Sequence, residues 1–242
     1  MLDRRSFLLV GAAPALLATE RSSKPLKVVC VGAHPDDPES GCGGTLARYS
    51  AEGHNVTVVY LTRGERGIPG KSLAEAGTIR TAEAEAACRI LGATPRFAGQ
   101  IDGDTMVSTA LIRNFAALIR AEAPDVLFAQ WPVDTHPDHQ AGSMLAMRAY
   151  FASDPKFVLY FYEVNGGFQT LGFNPTHYVD ITSVREKKKA ALFAHKSQDG
   201  EGIYREHHEI MENFRGREGG VRAAEAFVRL ARDGKTDLLP RI

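Results

Sequence analysis

LKVVCVGAHPDDPES, Leu26 to Ser40, is the stretch on which the reading of this chain turns. Its first half, LKVVCVGA (26–33), is a continuous apolar run, the pattern of a strand buried on both faces. The run ends in a His-Pro turn that carries two adjacent aspartates.

Outward from there, strands and helices alternate. GTLARYSAEG (44–53) reads as a short helix closed by Gly53, and NVTVVYLT (55–62) as a second, β-branched strand. A Gly-rich loop (63–77) leads to a helix over 78–91, with Thr78 as N-cap and Gly92 as stop. TPRFAG (94–99) is a short strand, and 108–121 a helix capped by Ser108. PDVLFAQ (124–130) is another apolar strand that runs into WPVDTHPDHQ and a helix over 140–152. FVLYFYEV (157–164) and HYVDI (177–181) are later strands. A helix follows over 183–195, and one or two more lie within 204–232. Strands separated by helices of this length predict βαβ units. The expected fold is α/β: a single-domain three-layer α/β/α sandwich, Rossmann-like, with a mostly parallel sheet. Functional loops of such sheets leave the carboxyl ends of the strands.

The chain has 242 residues, enough for one large domain with its own core. Lysine plus arginine equal aspartate plus glutamate at 29 each, so no broad charge footprint exists for nucleic acid or an anionic membrane. Lys187-Lys188-Lys189 is expected to be a solvated helix face. Residues 1–18, MLDRRSFLLVGAAPALLA, have the basic start, short apolar run and Ala-rich end of an export signal. The DRRSFLL order resembles a twin-arginine signal, so the expected location is periplasmic or otherwise extracytoplasmic. Residues 19–26 are a polar leader and 27–242 the domain. No stable membrane insertion is expected once the signal is cleaved, and assembly into a homo-oligomer is left open. The cysteines Cys30, Cys42 and Cys88 form no Cys-x-x-Cys pair, and Cys30 suits a buried small hydrophobe.

Two motifs carry chemistry. AHPDDPES (33–40) supplies His34, Asp36 and Asp37; HPDH (136–139), about a hundred residues later, supplies His136, Asp138 and His139, three histidines and three aspartates in all. Both follow a strand directly, which brings them to one sheet edge. Imidazole nitrogen and carboxylate oxygen suit Zn²⁺, whose catalytic sites use three protein ligands and leave room for water. One ligand set in this pool is His34, Asp37 and His139. Neighbouring side chains in an extended loop diverge, so Asp36 and Asp37 need not share one task. Hydrolysis at such a centre also needs a carboxylate to take the water proton and a donor for the oxyanion, for which His136 is a candidate. Arg66, Arg80, Asp102, Tyr162 and His195 are candidate substrate contacts. Arg80 could equally pair with Glu83 or Glu85, and His195 could be a helix-end histidine.

Other patterns are declined. GERGIPGKS (64–72) has one residue too many for a P-loop, and GCGGTLA (41–47) lacks the full dinucleotide-binding glycine pattern. His207-His208-Glu209 reads as a surface cluster, and Met144 and Met147 as core.

AHPDDPES with HPDH resembles the LmbE-like / PIG-L family of zinc de-N-acetylases. LTRGERG (61–67), IRTAEAEAACRILG (79–92), YVDIT (178–182) and AHKSQ (194–198) extend the likeness over about 27–198. The resemblance implies His34, Asp37 and His139 as Zn²⁺ ligands, Asp36 as general base and His136 as support for the intermediate. It also favours Arg80 and His195 as functional and implies an N-acetylated sugar or sugar conjugate as substrate. Many members carry Glu straight after the two aspartates. Here Pro38 intervenes before Glu39, which is expected to shift a hydrogen bond of the ligand loop.

Overall fold

The computed structural model describes residues 24–153 and 157–230. The export signal and most of the leader lie outside the described residues. So do 231–242.

Seven strands form one sheet in the order β3-β2-β1-β4-β5-β7-β6. They are β1 (Lys27–Gly32), β2 (Asn55–Tyr60), β3 (Ala93–Phe97), β4 (Val126–Gln130), β5 (Val158–Tyr162), β6 (His177–Asp180) and β7 (Ala224–Arg229). The first five are parallel; β7 runs antiparallel to both β5 and β6. The helices are α1 (Asp37–Ala51), α2 (Leu73–Leu91), α3 (Thr109–Glu122), α4 (Pro137–Ala152), α5 (Arg185–Phe193), α6 (Gly200–Ile203) and α7 (Glu209–Gly219). A π-helical turn, Tyr204–His208, leads into α7.

The three-layer expectation holds, and alternation along β1 shows why. Val28 and Cys30 join a core with Leu46 of α1, Leu91 of α2 and Ala191 of α5. Val29 and Val31 join the opposite core with Phe115 of α3 and Leu145 of α4. Each such valine or leucine contributes about 1.5–3 kcal/mol on burial. With both faces buried, the strand needs no polar alternation, hence the unbroken VVCV. All three cysteines are buried and free.

The strand order reverses between β1 and β4, which pair directly, Val28 beside Val126 and Cys30 beside Phe128. That is the switch point where an open parallel sheet leaves a crevice at its carboxyl edge. The two His/Asp loops leave β1 and β4 here.

Several local expectations are corrected. Helix α1 begins at Asp37, seven residues earlier than the sequence suggested, because Pro38 sits where a helix's first turn accepts proline. The glycines that masked it are packing devices: a Cβ on Gly41 would lie 2.3 Å from the Tyr162 ring. Helix α2 begins at Leu73, with Ser72 as the cap and Glu75 completing a capping box. Residues 224–229 are strand, not helix. Their Ala and Glu favour helix, but pairing on both sides within the sheet overrides that preference. Lys188 is buried rather than solvated: its Nζ lies 2.8 Å from Glu225 and 3.3 Å from Glu212. Met144 is 43% exposed, while Met147 packs against the core. Among the described residues no helix is long and apolar enough to cross a membrane.

Candidate metal centre and catalytic cleft

His34, Asp37 and His139 come from the β1 loop, the first turn of α1 and the first turn of α4. One ligand-type atom from each lies within 4.8 Å of the other two. A second set, His34, His136 and Asp138, meets the same limit. The oxygens of Asp138 are already engaged, by the Thr105 hydroxyl at 2.6 Å, the Gly103 N–H at 2.7 Å and His34 at 3.0 Å. The first set therefore fits a cation better, with Asp138 bracing it.

The charge of this centre is one-sided. Burial works against a charged His34, yet Asp102 at 3.3 Å, Asp138 at 3.0 Å and Asp37 at 3.2 Å outweigh it and hold the imidazole well above its usual range. His139 faces Asp37 through Nε2 at 3.3 Å and Asp134 through Nδ1 at 3.2 Å. An acid-rich pocket whose carboxylates point at imidazoles is the chemistry of a cation site.

Asp36 has a separate position. Its backbone has φ 114°, a region a non-glycine residue occupies at a cost of about 1–3 kcal/mol. Three contacts pin it there. Its N–H donates to Glu39 at 3.2 Å, its carbonyl accepts from Ser40 at 2.9 Å, and its carboxylate accepts from Arg80 Nη2 at 2.9 Å. Arg80 also donates to the Pro35 carbonyl and is itself buried, so it pairs with Asp36 rather than with Glu83 or Glu85. Room for its guanidinium comes from the Gly-rich loop: a Cβ on Gly64, where φ is +70°, would sit 2.3 Å from Nη1. Burial pushes the Asp36 carboxyl upward, Arg80 opposes this, and the Asp37 charge adds to it. Glu39, one position later than the family pattern, fastens the loop from below and accepts from the Tyr60 hydroxyl.

His136 is the N-cap of α4. Its Nδ1 accepts the Asp138 backbone N–H at 3.2 Å, so the neutral ring carries its proton on Nε2. Burial and the neighbouring His34 and His139 lower its pKa and favour that neutral form.

These groups line a cleft of about 510 Å³, with Arg66, Arg80, Asp102, His207 and His208 also on its wall. Arg66 is tied to Asp102 by a backbone N–H at 3.0 Å and by Nε to the Asp102 carbonyl at 2.6 Å. Two expected substrate contacts lie behind the wall instead. Tyr162 is fully buried under α1, and its hydroxyl donates to the Val31 carbonyl at 2.8 Å. His195 is also fully buried, with Nε2 3.4 Å from Glu39, beneath the Asp36 loop. The supposed surface cluster splits: His207 faces the cleft, while His208 is buried on the wall beside Lys188, and burial drives its pKa down to about 3.

Sequence reasoning missed Asp134 and gave Asp138, the third aspartate of its pool, no role, although both sit within WPVDTHPDHQ. Their signal was position: an aspartate two residues before His136 and another between the two histidines. Asp134 Oδ1 also accepts the His136 N–H at 2.8 Å, so one carboxylate orients both.

Residues 29–150 match the family described as PIG-L: GlcNAc-PI de-N-acetylase. A diacetylchitobiose deacetylase of Thermococcus kodakarensis is 30% identical over 194 residues, covering 74% of this chain and 72% of the relative. The chain belongs to the PIG-L family. A second relative is the 1D-myo-inositol 2-acetamido-2-deoxy-alpha-D-glucopyranoside deacetylase of Thermobispora bispora. It is 35% identical over 162 residues, about half of either chain: 54% of this one and 54% of the relative. Among solved structures, the N,N'-diacetylchitobiose deacetylase of Pyrococcus horikoshii superposes with a TM-score of 0.74. It is 28% identical, and the match covers 85% of this chain and 84% of that one.

Proposed function

We propose that this PIG-L family chain is a zinc-dependent N-deacetylase that hydrolyses the acetamido group of an amino sugar or sugar conjugate. The observation that carries the reading is the meeting of His34, Asp37 and His139 at one point, with a strained, arginine-held Asp36 beside them. The printed activities of the relatives support the substrate class.

Two imidazoles and one carboxylate make a donor set suited to Zn²⁺, and the acid excess around them favours a cation. Bound there, zinc supplies Lewis-acid polarisation of the acyl oxygen and a lowered pKa for water. The chain's own groups do the rest. Asp36, raised by burial, accepts a proton from the water as its oxygen bonds to the carbonyl carbon. Nε2–H of His136 donates to the oxygen that gains charge. As the C–N bond breaks, the proton held on Asp36 passes to the departing nitrogen, leaving acetate and an amine. Arg80 keeps Asp36 aimed and opposes the rise that burial imposes on its carboxyl.

The test combines metal analysis of the purified protein with amine release from a panel of N-acetyl sugars. Zinc near one per chain with amine release supports the reading. Absence of both overturns it. Export through the twin-arginine route is proposed on Arg4 and Arg5 within DRRSFLL; normal export of the double lysine variant would sink it.

A further inference from the structure

Cleft and exterior meet at the loop between β5 and β6. Asn165 and Gln169 of that loop line the cleft, and Phe168 between them is 77% exposed. Exposing a phenylalanine so fully forfeits the burial its ring could gain, yet the loop is not loose. The Trp131 indole N–H donates to the Leu171 carbonyl at 3.0 Å, Leu171 N–H to Val133 at 2.9 Å, and Thr135 N–H to Gln169 at 3.1 Å. The Thr170 hydroxyl donates to Asp134 at 3.1 Å. Gly167, at φ +78°, makes the turn that presents the ring. Phe168 is thus fixed to the segment that carries His136 and His139.

The ring's setting says what it meets. One face lies near-parallel to His207, which lines the cleft, with centroids 6.2 Å apart and planes at 16°. The residue is otherwise largely exposed. A flat ring extended from a cleft wall is a stacking platform for another ring with an apolar face. Resting on the N-deacetylase reading above, we propose that Phe168, backed by His207, forms an outer subsite. It holds a second ring attached to the N-acetylated sugar: the C–H face of another pyranose or an aryl group. The inner cleft, with its histidines, aspartates and arginines, takes the reacting acetamido sugar.

The experiment measures kcat and KM on the zinc-loaded enzyme for N-acetylglucosamine, N,N'-diacetylchitobiose and an aryl N-acetylglucosaminide. It compares the parent, Phe168→Ala and Phe168→Trp. Phe168→Ala is expected to raise KM about 10-fold for two-ring substrates, leaving kcat and the one-ring substrate within about 2-fold. Phe168→Trp should keep the parental KM. A rise confined to the disaccharide or to the aryl glycoside identifies the second ring's chemistry. Equal effects on one-ring and two-ring substrates, or none on the latter, overturn the subsite. So does a Phe168→Ala variant whose assembly mass changes by light scattering while its KM values do not, since the ring then sits between copies. A parent that turns over all three substrates with no Phe168 dependence defeats the subsite alone. A parent that releases amine from none of them defeats the deacetylase reading, and the subsite with it.

Discussion

Two buried charge clusters lie on either side of α1, and they are neutralised differently. Behind the helix, Lys188 sits between Glu225 and Glu212, Arg185 meets Glu212, and Arg215 grips Glu163 with two bonds of 2.6 and 2.9 Å. Each carboxylate there has a side-chain cation. In the cleft, among the described residues, Asp37, Asp102, Asp134 and Asp138 meet only imidazoles in the ion pairs they form. The first cluster is complete as folded; the second has the donor set to hold an external cation. Buried charge by itself therefore says little about function, and the sign left over says a great deal.

The sharpest way to break this contrast is within the cleft. Asp36→Asn keeps the loop's shape but cannot take a proton, so turnover should fall about 10²–10⁴-fold with zinc content unchanged. Asp37→Ala should lose zinc and turnover together. Parental turnover in a zinc-loaded Asp36→Asn protein would make some other group the base. In the self-neutralised cluster, Lys188→Ala leaves the buried Glu225 without a side-chain cation, while Glu212 keeps Arg185. It should cost roughly 3–5 kcal/mol in urea unfolding, with zinc stoichiometry intact. A loss of zinc without a loss of stability would reverse the roles of the two clusters. Asp134→Asn tests the bracing of His139: zinc affinity by chelator competition should drop about 10–100-fold with little change in unfolding.

The smallest effect is in pH. His208 adjoins Lys188 and is held neutral, with a pKa lowered to about 3 by burial first and the Lys188 charge second. The unfolded chain takes up that proton near pH 6.5. The folded state should therefore lose stability as pH falls from about 6.5 towards 3, with no contribution above. His208→Asn should flatten that part of the acid limb relative to the parent; identical slopes would remove His208 as its source.

What the sequence made legible follows from where information is local. The apolar run of β1 and the His-Pro-Asp turns are contiguous, so fold class and the pool of ligand-type residues could be read directly. Tyr162 could not be placed, because its role depends on Gly41 approaching from a helix more than a hundred residues away. Lys188 looked solvated because its partners, Glu212 and Glu225, are distant in sequence and lie on α7 and β7. Strand β7 itself has a helix former's composition and is strand only because β5 and β6 flank it. Asp134 and Asp138 were in plain view, but only geometry distinguishes a carboxylate that binds from one that braces.

The backbone at Asp36 has an evolutionary reading. Its φ of 114° suits glycine better than aspartate, and Arg80 is buried beneath it as the carboxylate's counterpart. Selection for the fold alone would discard both. A descendant that kept the architecture but abandoned the reaction would gain by acquiring glycine at 36 and an uncharged residue at 80. That paired replacement would be the fossil mark of a retired enzyme.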